Sequence, residues 1–384
     1  MIPELRLDKN LQCILSKGSI PIEHLQLDIT MQVALANLAH GLLKVHYALA
    51  ATGGGDAFFL PTSDFSTTRN PARWRAGFSY GGIFVWQSSR PIVFPELRPN
   101  ACGVLLGRQE GSFDWRSLSM RIREARKIFA DDWDYNKSNH FLGLYKHNSE
   151  SYFLLHGGTK STKRILGMFE CASVKPRPKI LTARHCIKTP YGHICTLQDD
   201  NAIEYYSTFK ECEKRIKNSR EALASFLFPS STILFHETHQ GLISPTTMAL
   251  GAYVFHRQEE QIPFMIAPGE PIFLLSQGFS IHSQVVQLTK QAQMTIKGSL
   301  GGEKIWISPH GSGDYLADVE GFSCTERNGE RLFQFSLSDG RCISTDNPSE
   351  LREGYRSRYQ AASALTKLGI EIGGLLENVA TIKS

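Results

Sequence analysis

Short apolar runs with strand character recur from Ala57 nearly to the end of this chain, and helical patterns do not alternate with them. AFFLP, GFSYGGIFVW and PIVFP fill the stretch after Gly55 and are broken by Gly, Pro and Ser. HFLGLY and SYFLLHGG read as a hairpin of buried strands, and STILFH, GAYVFHR, EPIFLLSQG, EKIWISPH and RLFQFSL continue the series. Helical spacing interrupts them only locally. Asp28 is placed to cap ITMQVALANLAHGLLKVHYALAA, which stops before Gly53, and WRSLSMRIREARKIFADDW reads as a basic helix. Tyr205, Phe209, Cys212, Ile216, Leu223 and Leu227 share one face of a third helix. SELREGYRSRYQAASALTKLG places Leu351, Tyr355, Tyr359, Ala362 and Leu365 on a face of the last, before a short apolar tail. Strands that outnumber helices without alternating predict an α+β fold. With no internal repeat and no low-complexity linker, one domain over residues 1–384 is expected.

At 384 residues, 41% hydrophobic and 21% charged, the chain can bury a large core, which excludes disordered, collagenous and coiled-coil classes. The net charge of +5 permits an anionic partner without demanding one. No stretch reaches the roughly 18 unbroken apolar residues of a membrane helix, and MIPELRLDKNLQCILS lacks a secretory layout. A cytoplasmic protein with no membrane partner is expected. Eight cysteines spread through so long a chain predict reduced thiols. RHCIKTPYGHIC, with His185, Cys186, His193 and Cys195, matches no closed zinc spacing and reads as a hairpin or loop.

The histidines carry the chemical signal. Five of 13 stand at or beside the end of a strand-like run: His140, His156, His239, His256 and His310. Strand ends can converge on one cleft, and neutral imidazole is the commonest metal ligand. Cys102, in RPNACGVLL, adds a thiolate suited to a transition metal. Two other motifs fail. In HETH, His236 and His239 are three apart instead of four, and GSLGGEK lacks the Lys-Ser/Thr of a P-loop. His310 lies in PHGSGD, where small neighbours let a phosphate approach. Its imidazole can form a phosphoramidate, or it can be an incidental residue of a tight turn.

Taken in order, these segments resemble the RtcB family of RNA ligases over nearly the full chain. ACGVLLGR resembles the family's DIGCGM, SNHFLGLY its GNHF, and LLHGGTKS its HSGSRG. THQGL and VFHRQEE resemble its HN and HRKGA segments, and APGEPIFLLSQG its strand and Pro-Gly segment. PHGSGD resembles HGAGR, and ENVATIKS the terminal Lys-Gly. The resemblance implies a single α+β domain with strand ends converging on a metal-binding cleft. It implies joining of RNA ending in a 3′-phosphate or 2′,3′-cyclic phosphate to RNA with a 5′-OH, using GTP and manganese through a histidine-GMP intermediate. Carried over by residue, His310 is the nucleophile and Cys102, His140, His156 and His239 are metal ligands. Asn139, Lys383, Gly311 and Gly313 would contact the nucleotide, and Lys160 and Arg257 the RNA. One or two manganese ions are implied, with zinc or iron as alternatives, and a protein activator as a further partner. The basic helix around Arg116, Arg121, Arg123, Arg126 and Lys127 could steer RNA or be a solvated face.

The departures fall on chemistry. Pro99 or Asn100 replaces the family's aspartate, which predicts one intact metal site (Cys102, His156, His239) and a weakened one that includes His140. Losing that hard oxygen ligand also lowers the preference for manganese over zinc or iron. Gly143 replaces a guanine-contacting glutamate, Gln258 a lysine, and Asp314 the arginine of HGAGR, where a carboxylate would repel a triphosphate. Three readings follow: a divergent ligase, a degenerate protein that binds RNA ends or a partner, and a metal-dependent phosphoesterase.

Overall fold

The computed structural model describes all residues except 1–8, 23–24, 26, 136–138, 160–163, 167–180, 257–258, 281–287, 289, 303, 328–329, 349–350, 352–353 and 384. The chain folds as mixed helix and sheet around a large curled sheet. That sheet contains β1 (Ala57–Ser66), β2 (Tyr80–Trp86), β4 (Cys102–Gln109), β5 (Phe141–His147), β6 (Glu150–Gly157), β9 (Ser231–Ser244), β10 (Thr247–Leu250), β12 (Ile262–Met265), β13 (Ile272–Leu275) and β21 (Ile372–Ile382). Their order is β1-β2-β10-β9-β4-β6-β5-β21-β13-β12, with every neighbouring pair antiparallel. The apolar tail seen in the sequence is β21, an interior strand.

Smaller sheets decorate this frame. β3 (Ile92–Val93) pairs with β8 (Gly192–Gln198), which pairs with β7 (His185–Thr189). β11 (Ala252–Phe255) and β14 (Phe279–Ser280) flank β15 (Trp306–Pro309), while β16 (Asp314–Tyr315) pairs with β20 (Gly354–Tyr355). β17 (Val319–Arg327), β18 (Glu330–Leu337) and β19 (Cys342–Thr345) form a separate meander.

The near-continuous apolar runs have a simple cause: both faces of the main sheet are covered. Phe58 and Leu60 of β1, Ile83 and Val85 of β2, and Val104 and Leu106 of β4 join one core cluster, together with β11–β15 and the helix Lys290–Leu300. Their neighbours point the other way. Phe59, Phe84 and Trp86 pack under helix α2 (Ile29–Ala51). Leu105, Leu142 and Leu155 pack under α4 (Trp115–Ile128) and the helix Asp200–Leu227. All six residues expected on one face of that long helix are buried.

Asp28 caps α2 as expected, its carboxylate accepting from Met31 N–H at 2.8 Å. The last helix differs from the sequence reading: it runs Arg358–Lys367, and Tyr355 instead belongs to β20. A capping box between Ser357 and Gln360 sets its start, so Tyr359 is exposed. The expectation of reduced thiols is also corrected. Cys186 and Cys195, directly opposite each other in the β7–β8 hairpin, form a disulfide. The hairpin itself is as expected, and its bonded thiols cannot serve as zinc ligands. Among the described residues, no helix is long and apolar enough to cross a membrane.

Candidate active site

Two strand ends and a bulge meet on the face of the main sheet that carries Val104 and Leu106. Cys102 opens β4, and His156 stands near the end of β6, paired with Val104 on one side and Phe141 on the other. His239 arrives by a different device. Cys102 pairs with Gln240 and Gly103 with Thr238, so His239 is the extra residue of a β-bulge in β9. A bulge re-aims the side chain it carries, and here it brings the ring against His156, with centroids 5.2 Å apart.

Cys102 Sγ, one nitrogen of His156 and one of His239 lie within 4.8 Å of one another, all buried, a group that can hold a metal ion. Cys102 Sγ is 3.4 Å from His156 Nε2, and His156 Nδ1 donates to the Asn139 carbonyl at 3.1 Å, which turns Nε2 toward the sulfur. Both nitrogens of His239 are buried without a hydrogen-bond partner among the described residues. Such orphaned groups cost about 1–3 kcal/mol each, and a metal ion at this point would relieve one. Burial, reinforced by the neighbouring histidines, holds His156 and His239 well below the usual imidazole range. Both are therefore neutral, as ligation requires. The donor set fits a soft or borderline transition metal.

His140 joins the group in a different role. Its Nε2 is 3.1 Å from Cys102 Sγ, and its Nδ1 is 2.8 Å from Asp134 Oδ2. Burial disfavours its charged form, but Cys102 and Asp134 outweigh burial and lift it to about 9. Asn100 Oδ1 accepts from Cys102 N–H at 2.9 Å. Cys102, His156 and His239 are the group that can hold a metal ion, and His140 is within hydrogen-bond distance of the sulfur.

His310 follows β15, its ring centroid 4.3 Å from that of His239. Its Nδ1 is 2.6 Å from Asp64 Oδ2 and 2.7 Å from the Gly251 carbonyl. Both partners accept, so Nδ1 carries the proton, and in the neutral ring Nε2 keeps its lone pair. Asp64 is fully buried in β1 and also accepts from Thr62 Oγ1. Fixed tautomer and fixed ring plane are what a histidine nucleophile needs.

A cavity of about 50 Å³ opens beside His310, lined by Asn139, His156, Gly311, Gly313, Asp314 and Tyr355 among others. One water needs roughly 10–15 Å³, so the cavity has room for a phosphoryl group. Gly311 and Gly313 are there for space. A Cβ on Gly311 would meet the Met265 carbonyl, and Gly313 has φ +79° with Arg356 and the Asp64 backbone pressed against it. Asp314, expected to repel a triphosphate, is paired. Arg69 Nη2 and Nε hold its Oδ1 at 2.6 and 2.9 Å, and the same guanidinium lies 4.7 Å above the Tyr355 ring. Burial still raises the Asp314 carboxyl, against the opposing pull of Arg69.

No family model matches the chain, and no curated protein matches it.

The remaining sequence candidates divide by geometry. Asn139 lines the cavity, but His256 does not reach it. β11 and β15 are antiparallel, with Ala252 opposite Pro309 and Phe255 opposite Trp306, so His256 and His310 leave from opposite ends. Lys383 is exposed, one step beyond the Ile382–Leu142 pair, and does not line the cavity. Lys160, Arg257 and Gln258 lie outside the described residues. At Gly143 there is no room for a larger side chain, because the Tyr145 ring lies across it. In α4, Arg121 donates to the Leu227 carbonyl and Arg126 covers the Trp133 ring. Sequence reasoning missed Asp64, Asp134, Arg69 and Arg220. The last is a buried guanidinium that donates to the Gly157 carbonyl behind Cys102. None of these carries a local motif.

Proposed function

We propose that this protein is a divergent member of the RtcB family, a GTP- and metal-dependent ligase that joins RNA 3′-phosphate or 2′,3′-cyclic phosphate ends to 5′-OH ends. The observation that carries the reading is His310: Nδ1 locked by Asp64 and the Gly251 carbonyl, Nε2 available, and a buried Cys-His-His set one ring away. In this scheme the Nε2 lone pair attacks the α-phosphorus of GTP, an N–P bond forms and pyrophosphate leaves. The positive charge that develops on the ring is stabilised by Asp64 through Nδ1–H. The RNA 3′-phosphate then displaces the imidazole from the guanylate, and the 5′-OH displaces GMP. Cys102, His156 and His239 would hold the metal, which when bound offsets negative charge on phosphate oxygens. Thiolate and imidazole donors favour zinc or iron over manganese.

A second reading has an observation of its own. The cavity has room for a phosphoryl group, and the Asp314–Arg69 pair stands on its wall. That suits a protein that binds an RNA end, or opens a cyclic phosphate, without a nucleotide. Incubation with α-labelled GTP and metal, followed by a denaturing gel beside His310→Ala, separates the two. A labelled band absent from the variant supports guanylation. No band from folded, metal-loaded protein removes the ligase reading and leaves the second.

A further inference from the structure

The ribbon of β16 and β20 separates two cavities. Asp314 and Tyr355 line the one beside His310, whereas the residues after them, Tyr315 and Arg356, line a second of about 620 Å³. β1 alternates in the same way, with Asp64 reaching His310 and Ser63 lining the second cavity. No residue lines both. The chain entering α2 and its first turn supply Leu27, Asp28, Met31 and Gln32. β17 adds Val319 and Glu320, and the last helix adds Tyr359 and Ser363.

The buried charges of this cavity are matched to each other. Arg356 Nε and Nη2 donate to the two Asp28 carboxylate oxygens at 2.6 and 3.2 Å. Its Nη1 donates to the Ser312 carbonyl and its Nη2 to the Phe65 carbonyl, each at 3.0 Å. Among the described lining residues the remaining charge is Glu320, which is exposed. No lining cation is therefore left for an anion. Hydrogen-bonding capacity, by contrast, is left over. Gln32 is only 8% exposed, yet its side-chain amide bonds no described residue. The Tyr315 hydroxyl has no partner among the described residues either, and its half-buried ring has no aromatic or cationic neighbour there. Ser63 Oγ is buried in the same wall, also unpaired. Native interiors pair nearly all of their buried polar groups, so three unpaired ones around one cavity point to a ligand.

We propose that this cavity is a second binding site, for an uncharged nucleoside. The Gln32 amide sets a donor beside an acceptor, the pairing that reads the N6 and N7 edge of adenine. Tyr315 offers a ring to a planar base, and Leu27, Met31 and Val319 give the apolar lining of a small-molecule site. The volume falls within the roughly 300–1,000 Å³ of such sites. Glu320, with no lining cation to oppose it, disfavours a phosphorylated ligand. The site stands independently of the chemistry proposed for His310.

The test is calorimetric titration of the full-length protein with adenosine and with adenosine 5′-monophosphate. Saturable binding of adenosine is expected, weakened roughly tenfold or more (about 1.4 kcal/mol) in Gln32→Leu and in Tyr315→Ala, and unchanged in His310→Ala. Gln32→Leu removes an amide that bonds no described residue, so it should melt at or above the wild-type temperature. Thermal melts establish that each variant is folded, and Tyr315→Ala alone decides the matter if Gln32→Leu is not. Absence of binding, binding indifferent to the folded variants, or binding lost in His310→Ala overturns the proposal. The monophosphate binding more tightly than adenosine overturns its uncharged part.

Discussion

His310 and His239 lie with ring centroids 4.3 Å apart, yet the protein furnishes them in opposite ways. His310 has two acceptors on Nδ1, one a fully buried carboxylate, so its tautomer and plane are set by the chain itself. His239 has no protein partner among the described residues on either nitrogen. A buried imidazole without partners is expensive unless something else supplies them. The difference separates the two rings: the chain fixes the tautomer and plane of His310, whereas His239 is left with both nitrogens open to a bound ion. His156 lies between the two cases, with Nδ1 on the Asn139 carbonyl and Nε2 turned to Cys102.

The largest effect should come from removing the furnishing of His310. Asp64→Asn keeps the shape but withdraws the charge that fixes the Nδ1–H tautomer. Guanylation rates should fall on the order of 10³–10⁴-fold, the scale of the analogous change in a serine-protease triad, while metal content stays at wild-type level. Equal loss of rate and metal would dissolve the distinction between the two rings.

His239→Leu breaks the other side. Metal content by elemental analysis should fall below the wild-type stoichiometry, as it should in Cys102→Ser. In chelator-treated protein the same His239→Leu should be neutral or stabilising, by about 1–3 kcal/mol in denaturant melts, because it removes buried orphan nitrogens. A destabilised chelated variant would show that His239 is held by the protein after all. Metal added to wild type should raise the melting temperature in a saturable way, worth about 2.7 kcal/mol at a hundredfold excess over Kd, and should leave His239→Leu unmoved.

The smallest effect belongs to Arg69, whose side chain is 42% exposed against 13% for Asp314. Arg69→Gln should lower guanylation several-fold by leaving Asp314 facing the incoming phosphates. Adding Asp314→Asn should recover most of the loss, with a coupling of about 1 kcal/mol or less for so exposed a pair. Additive losses in a double-mutant cycle would mean that Arg69 contacts substrate instead of screening Asp314.

Much of the frame was legible because it rests on periodicity. Two-sided burial leaves apolar runs, one-sided burial leaves a helical stripe, and Asp28 before α2 reads as a cap. The last helix was read too early, because Leu351 and Tyr355 fit helical spacing although Tyr355 is claimed by Asp314 across β16 and β20. Of the five strand-end histidines, four converge, and His256 fails on strand direction, which no local pattern carries.

Residue types and order were enough to show that this chain is rich in strands, to place most of its helices, and to single out Cys102, His156, His239 and His310, which the structure brings together. Only the tertiary structure decided which partners each of them has. The bulge that aims His239 depends on the register between β4 and β9. The Asp64 carboxylate reaches His310 across a sequence separation of 246, and Arg69 reaches Asp314 across 245. The Cys186–Cys195 bond depends on which residues face each other in a hairpin. Periodicity is a local property of a chain, whereas register, strand direction and the partner of a buried charge are settled only when distant segments pack.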